Sequence, residues 1–236
     1  FIANWQKLNP GQTSHWALQS EAALKAGLSP QAELTPTAVL TTSHQGWQIE
    51  AALIQTINEA REIIRIEHAY LYHEPIEVAL RAAKARGVEI QLLFSERSDE
   101  SLFDRLNPGN ALKLMQAPGP GKVRCWLWPV GKGEHDYMIH TKYLSVDGRK
   151  AIAGSANLIP RSLQSPFRVG DQPLLFNEEL VLYLDDPRFV SRLDQELFIA
   201  DRDRSKEYDQ QALQALLDAR GGALELLIER LKGLLA

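Results

Sequence analysis

One cysteine, Cys125, stands among 236 residues. A single thiol excludes an internal disulfide framework and any cysteine-cluster zinc site. Charge of one sign is also lacking: 26 Lys and Arg are set against 30 Asp and Glu, a formal net charge of −4. That excludes a protein holding polyanions by bulk positive charge, though not a local basic patch. No apolar run approaches the roughly 20 residues that cross a bilayer, and no signal peptide is visible. The chain is therefore expected to be soluble or peripheral to a membrane. Low complexity is absent too, because 44% hydrophobic and 24% charged residues, with 15 Gly and 12 Pro, describe an ordinary globular composition. The length allows one large domain or two small ones with a real core.

What is present is an alternation of helix and strand patterns. Residues 20–26 form a short helix candidate closed by Gly27 and Pro30. The β-branched run TAVLTT (37–42) predicts a buried strand. In QIEAALIQTINEAR (48–61), Ile49, Leu53, Ile57 and Ala60 recur at helical spacing. A strand follows around 63–67, then a helix over 75–86 with Pro75 in its first turn and Gly87 at its end. VEIQLLF (88–94) is a strand, so this order implies a parallel pair joined by helical crossovers. Residues 98–106 predict a short helix, after which NPGN and PGPG mark loops. KVRCWLW (122–128) is a strand and VGKGEHD a loop. YMIHTKYLSV (137–146) alternates as a strand, Asp147 and Gly148 make a hairpin turn, and 150–153 return. Residues 159–176 are long and irregular, interrupted by Pro160, Pro166 and Pro173. ELVLYL (179–184) is a strand, 187–200 a helix, and the tail from Asp209 is helical throughout.

Chemistry concentrates in HTKYLSVDGRKAIAGSAN, from His140 to Asn157, which has the form H-x-K-x4-D-x6-G-S-x-N. On a strand, His140 and Lys142 project from one face. The Asp147–Gly148 turn sends the chain back and delivers Gly154, Ser155 and Asn157 to the same end of the sheet. One hairpin thus gathers an imidazole, an ammonium and an amide, and Gly154 permits close backbone approach. A neutral imidazole can attack phosphorus and form a covalent intermediate. Lys142 and Asn157 can donate hydrogen bonds to phosphoryl oxygens as charge moves there. Lys142 supplies the positive charge, so neither metal nor other cofactor is expected. The remaining histidines, His15, His44, His68, His73 and His135, show no ligand spacing.

This segment resembles the HKD motif of the phospholipase D superfamily, and the likeness extends beyond it. GSANLIPRSL (154–163) resembles the run that follows the motif in the cardiolipin synthase and phospholipase D branches. FNEELVLYL (176–184) resembles the family's N-x-E strand. IEAALIQTINEAREIIRIEHAYL (49–71) and PIEVALRAAKARGVEIQLLFSERSD resemble two successive units of a family half-domain. LDQELFIADRDRS (193–205) resembles the closing helix. The resemblance covers roughly 37–206. It implies an α/β fold: a phospholipase D-like α/β/α sandwich with a mixed, largely parallel central sheet and a C-terminal helical tail. The expected division is an inter-lobe or crossover segment at 1–35, the HKD domain at 36–206 and a helical extension at 207–236.

The resemblance also implies roles. His140 is one of two active-site histidines, and Lys142 and Asn157 bind phosphoryl oxygens. Ser155 and Gly154 sit at the site. Glu179 accepts a hydrogen bond from the far nitrogen of His140, and Glu178 points the other way. Asp147 belongs to the catalytic signature, although its D-G turn suggests that it holds the hairpin. His68, at a strand end facing the site, is a substrate contact. The mechanism needs a second histidine to protonate the leaving alkoxide and then deprotonate the incoming water or alcohol. This chain has one such motif, so the second comes from a missing N-terminal lobe or from a homodimer. FIANWQKLNPGQTSHW resembles the stretch after a first motif, which favours the C-terminal half of a two-motif protein.

Three functions compete. The first is a metal-independent phosphodiesterase or phosphatidyltransferase acting on phospholipids through a phosphohistidine, with Trp126, Trp128, Phe167, Leu174, Leu175 and Phe176 as candidates for an acyl-facing or membrane-facing rim. For the two tryptophans, core packing on one strand is the plainer reading. The second is a nuclease, with Arg149, Lys150, Arg161 and Arg168 tracking a backbone, although nucleic-acid-binding proteins are usually more basic. The third is a non-enzymatic scaffold, which intact His140, Lys142, Asn157 and Glu179 argue against. Cys125, mid-strand, reads as core.

Overall fold

Apolar residues recurring at helical and at strand spacing build two faces of one sheet. The computed structural model describes residues 37–43, 46–131, 137–164, 167–169, 172–174 and 176–221, which fall in the compact unit 35–236. The helix candidate at 20–26, most of VGKGEHD, Leu175 and the side chains of Phe167, Arg168 and Leu174 lie outside the described residues.

The chain opens with β1 (Thr37–Ser43) and β2 (Gly46–Trp47), and then α1 (Gln48–Glu59) leads into β3 (Ile63–His68). Two crossovers follow: α2 (Glu74–Ala85) to β4 (Glu89–Ser95), and α3 (Phe103–Gln116) to β5 (Val123–Trp128). Next come the hairpin β6 (Lys142–Val146) and β7 (Lys150–Gly154), α4 (Pro160–Leu163), the small hairpin β8 (Phe167–Val169) and β9 (Gln172–Leu174), and β10 (Glu179–Asp185). The chain then passes through α5 (Pro187–Asp194), a π-helical turn (Gln195–Ile199), α6 (Ala200–Arg202), β11 (Lys206–Tyr208) and α7 (Gln210–Ala219). Among the described residues, nine strands form one sheet in the order β11-β5-β4-β3-β6-β7-β10-β1-β2.

Helices cover both faces. Ile49, Leu53 and Ile57 of α1, Ile76 and Leu80 of α2, Ala111 and Leu114 of α3 and Leu213 of α7 bury one face with Ile64, Ile66, Ile90 and Leu144. On the other face Trp126, Trp128, Tyr143 and Leu184 pack on Val190 and Phe198 of α5 and the π-helical turn. Both tryptophans are therefore core residues. Cys125 is fully buried, and burial pushes its thiol pKa up. A buried carboxylate ties the second face together: Asp194 accepts from Arg65 at 2.9 Å, from the Tyr143 hydroxyl at 2.9 Å and from the Ser145 hydroxyl at 2.5 Å.

The architecture is the expected α/β/α sandwich with a mixed sheet, but the sheet is not largely parallel. Parallel pairing is confined to β3–β4 and β4–β5, the strands joined by helical crossovers. The remaining pairs are antiparallel, because tight turns and returning connections reverse the chain. β1 differs from the buried strand expected of TAVLTT. It lies next to the sheet edge, between β10 and two-residue β2, and Val39 is 58% exposed.

NPGN, expected to be a loop, lies inside α3. The reason is tertiary. Asn107 Oδ1 accepts from Leu71 N at 2.9 Å, its Nδ2 donates to Ala69 O at 2.7 Å, and Asn110 Nδ2 donates to Leu71 O at 2.8 Å. Those bonds satisfy the backbone where the chain leaves β3, and they outweigh the local cost of Pro108. At the far end of α3, buried Lys84 donates to Leu114 O at 3.1 Å and to Met115 O at 2.7 Å, capping carbonyls that the helix leaves open.

Candidate active site

The H-x-K-x4-D-x6-G-S-x-N residues separate into two groups in space. His140, Lys142, Gly154, Ser155, Asn157 and Glu179 gather where β6 and β10 begin and β7 ends, which is also the end reached by the last residues of β3. Asp147 lies at the other end of the hairpin. It adopts φ +55° and its carboxylate accepts from the amides of Arg61, Glu62 and Ile63 at 3.0, 2.9 and 2.9 Å. Asp147 therefore anchors the start of β3, in keeping with the hairpin-holding role its D-G turn suggested and at a distance from His140.

The strand predicted from Tyr137 begins only at Lys142. Side chains of neighbouring strands capture the segment before it. Trp128 Nε1 donates to Tyr137 O at 3.1 Å, and Ile139 N donates to the Ser95 hydroxyl at 2.7 Å. His140 consequently sits ahead of the sheet, exposed, and strand alternation does not align it with Lys142. The link is direct instead: Lys142 Nζ donates to His140 O at 2.8 Å. Burial and the Lys142 charge hold the His140 imidazole below its ordinary pKa, while Asp99 pulls the other way. Burial lowers Lys142 to about 8, against the opposing charges of Asp99 and Glu179.

His68 faces Lys142 across the β3–β6 ladder. It is only 2% exposed, and its Nδ1 has no hydrogen-bond partner among the described residues. Burial, with Lys142 beside it, lowers its pKa to about 3. His68 is thus a neutral neighbour under Lys142, not the open substrate contact expected. The chain closes over that end of the sheet, where Leu71 bridges Leu158 and Tyr72 N donates to Leu158 O at 2.8 Å.

Glu179 occupies the expected end of the sheet with different partners. It accepts from the hydroxyls of Ser155 and Ser162, the latter at 2.7 Å, and Asn177 Nδ2 donates to the Ser162 hydroxyl at 3.2 Å. Among the described residues no hydrogen bond joins Glu179 to His140. Gly154 explains how Ser155 gets there. A Cβ at this position would lie 2.4 Å from Leu180 O and 2.6 Å from Val181 Cα, so only glycine lets β7 approach β10 this closely. Asn157 Oδ1 is buried and has no hydrogen-bond partner among the described residues.

Sequence reasoning missed four residues here. Ser162 and Asn177 complete the Glu179 network, and both stand in the quoted PRSL and N-x-E runs. Tyr70 and Asp99 flank His140, and only the tertiary fold brings them to it. The Tyr70 and His140 rings meet at 77° with centroids 6.2 Å apart, and the Tyr70 hydroxyl donates to Asp99. Two of the four basic residues expected to track nucleic acid lie elsewhere, whereas Arg161 adjoins Ser162 on α4. Arg149 and Lys150 pair with Asp185 and Glu59 beside a groove of about 350 Å³ at the Asp147 end. Phe176 packs against Trp47, with ring centroids 5.5 Å apart. Among the described residues no three His, Cys, Asp or Glu side chains converge as metal ligands.

Comparison with known proteins identifies the family and the fold. The family described as cardiolipin synthase, PLD-like domain, matches residues 53–200. A cardiolipin synthase of Listeria monocytogenes serotype 4a is 26% identical over 140 residues, 59% of this chain and 27% of that protein. Cardiolipin synthase A of Pseudomonas aeruginosa (strain LESB58) is 30% identical over 157 residues, 60% of this chain and 30% of that protein. The chain thus spans less than a third of the length of these curated relatives. Among solved structures, Nuc of Salmonella typhimurium, a phospholipase D family member, aligns with a TM-score of 0.56 at 16% identity, over 73% of this chain and 99% of that one. Phosphatidylserine synthase of Haemophilus influenzae aligns with a TM-score of 0.61 at 13% identity, over 87% of this chain and 49% of that one. With well over half of its length matched by the family and its sheet shared with these structures, the chain belongs to the cardiolipin synthase PLD-like domain family of the phospholipase D superfamily.

Proposed function

We propose that this chain supplies one catalytic half of a metal-independent phosphodiesterase or phosphatidyltransferase acting on phospholipids. Members of the superfamily act on phosphodiesters. The observation that carries the finer reading is the cluster at the start of β6. There His140, with its imidazole biased towards the neutral form, sits beside the ammonium of Lys142, and Ser155, Asn157 and Glu179 share the same sheet end. In this reading neutral His140 attacks phosphorus, and a P–N bond forms as the P–O bond to the leaving alcohol breaks. A second histidine protonates the departing alkoxide. Water or an alcohol then attacks the phosphohistidine, passes its proton to that second histidine and releases His140. Lys142 and Asn157 donate to the phosphoryl oxygens where charge accumulates. Glu179 favours the charged form of Lys142 and fixes Ser155.

None of the other five histidines begins an H-x-K signature, so the second histidine is assigned to another half of the full protein or to a second copy. Phospholipid is favoured over nucleic acid by the cardiolipin synthase relatives and by the placement of Arg149 and Lys150 away from His140. The nuclease reading rests on the fold likeness to Nuc and to NucT of Helicobacter pylori, at 16% and 17% identity.

The test uses the full protein with phosphatidylglycerol vesicles and with single-stranded DNA, each in EDTA. Lipid turnover without DNA cleavage is expected. His140→Asn should lower lipid turnover by on the order of 10³-fold or more while keeping the wild-type unfolding midpoint. Cleavage of DNA alone, or undiminished turnover in His140→Asn, would overturn the proposal.

A further inference from the structure

Asp99 is an acidic side chain placed where a phosphodiester site would be expected to exclude one. It stands in the loop between β4 and α3. Its Oδ1 accepts from the Tyr70 hydroxyl, from the Ser98 hydroxyl at 3.1 Å and from Glu100 N at 3.0 Å. Its own amide donates to the Met138 sulfur at 3.3 Å, two residues before His140. Oδ2 accepts no hydrogen bond among the described residues, and the residue is exposed. Its charge reaches both His140 and Lys142. The carboxylate is thus held by one oxygen and open at the other, beside the pair that would bind phosphate.

The loop itself is braced. Ser98 N donates to Asp104 Oδ1 at 2.5 Å, and Glu96 N donates to Trp128 O at 2.8 Å. Arg220, just past α7, donates through Nη2 to Glu96 O at 2.8 Å and through Nη1 to Asp104 O. Arg105 in turn donates to Arg220 O, and to Gly221 O at 2.7 Å. Tyr70, which fixes the carboxylate, is buried and tilted against Phe103 with ring centroids 4.2 Å apart. Such a carboxylate is pre-positioned and does not adapt by moving away.

We propose that Asp99 receives the alcohol part of the substrate: its open oxygen accepts a hydrogen bond from a hydroxyl or ammonium carried by the group esterified to phosphorus. Two anions repel, so a fixed carboxylate beside the phosphoryl site gains nothing from phosphate and accepts only a donor. A polynucleotide places further phosphates on both sides of the scissile bond and meets this charge unfavourably. A glycerol or ethanolamine head group offers the donor. The inference rests on the phospholipid reading above and narrows it to head groups that can donate.

The experiment compares wild type with Asp99→Asn in the full protein. Asparagine keeps an oxygen for Tyr70, Ser98 and the Glu100 amide but loses the charge. The substrates are phosphatidylglycerol, phosphatidylethanolamine and bis(p-nitrophenyl) phosphate, a diester whose substituents carry neither hydroxyl nor ammonium. Losing a charge-assisted hydrogen bond should raise KM for a donor-bearing lipid about tenfold to hundredfold. It should lower KM for the nitrophenyl diester, which no longer meets a like charge. A rise with phosphatidylglycerol alone assigns the hydroxyl, and one with phosphatidylethanolamine alone the ammonium. Equal losses on all three substrates, carried in kcat with a displaced acid limb of the pH profile, would make Asp99 a positioning residue for His140 and overturn the proposal. Unchanged constants on all three would overturn it as well. A wild-type protein that turns over none of the three fails at the proposed function itself, and this inference falls with it.

Discussion

His140 and Lys142 are two positions apart and joined by the bond from Lys142 Nζ to His140 O, yet their environments differ. His140 lies exposed ahead of the sheet, whereas Lys142 is only 9% exposed within it. Burial favours the uncharged form of both groups. For the imidazole this is the nucleophilic form, so the acid limb of kcat/KM should lie below pH 6.5. For the lysine it is the form that cannot stabilise a phosphoryl anion, so a basic limb is expected near pH 8 as Lys142 loses its proton. Lys142→Arg keeps its charge at any accessible pH. It should lower the rate, because the geometry changes, and remove the limb near pH 8. A wild-type profile flat to pH 10 would contradict this assignment. The pairing of histidine with lysine was legible from H-x-K spacing. Its cause was not, because strand alternation was the wrong reason for a correct neighbourhood.

At the scale of elements, the hairpin β6–β7 has a chemical end and a structural end, five strand residues apart. Asp147 serves the structural end. It holds a left-handed turn and three backbone amides that begin β3. Asp147→Ala removes all three acceptor contacts and leaves a Cβ-bearing residue with no local compensation at positive φ. It should cost about 2–3 kcal/mol in unfolding free energy, measured by denaturant titration. Asp147→Asn tolerates that φ and still accepts, so its loss should be smaller. An unchanged unfolding midpoint in Asp147→Ala would refute this role. The turn itself was legible, since a D-G pair between alternating runs has few other uses. Its partner was not, because Arg61–Ile63 lie more than 80 positions earlier in the chain. α3 teaches the reverse lesson. NPGN reads locally as a loop, and only the bonds from Asn107 and Asn110 to residues 69–71 make it helical.

For the whole molecule, a buried ionisable group sets a pH dependence: Glu67 on β3 is fully buried. Burial raises its pKa from 4.5 to about 7, Asp201 adds to the rise and Thr141 opposes it. A carboxyl whose pKa is raised by folding stabilises the native state in its protonated form. That stability is fully present below pH 4.5 and lost as pH climbs through 7. Glu67→Gln cannot ionise, so its stability relative to wild type should grow by about 3 kcal/mol between pH 4 and pH 8. Chemical unfolding at both pH values checks this, and a difference independent of pH would refute it. Also at this scale, α7 packs Leu213 into the main core, and Arg220 beyond it braces the loop bearing Asp99. Among the described residues no helix is long and apolar enough to cross a membrane.

The sequence alone determined the alternation of helix and strand from α1 to β4, the parallel pairing of β3 and β4, and the neighbourhood of His140 and Lys142, because apolar periodicity and motif spacing are local and survive without coordinates. It also set the near balance of charge, which supports the proposed preference for phospholipid over nucleic acid. Only the tertiary structure decided that most strand pairs run antiparallel and that β1 is exposed near an edge. It alone tied Asp147 to the start of β3, buried His68, engaged Glu179 with two serines and brought Tyr70 and Asp99 beside His140. Each of those outcomes depends on partners distant in sequence, and burial and hydrogen bonding between distant residues leave no periodic trace in the chain.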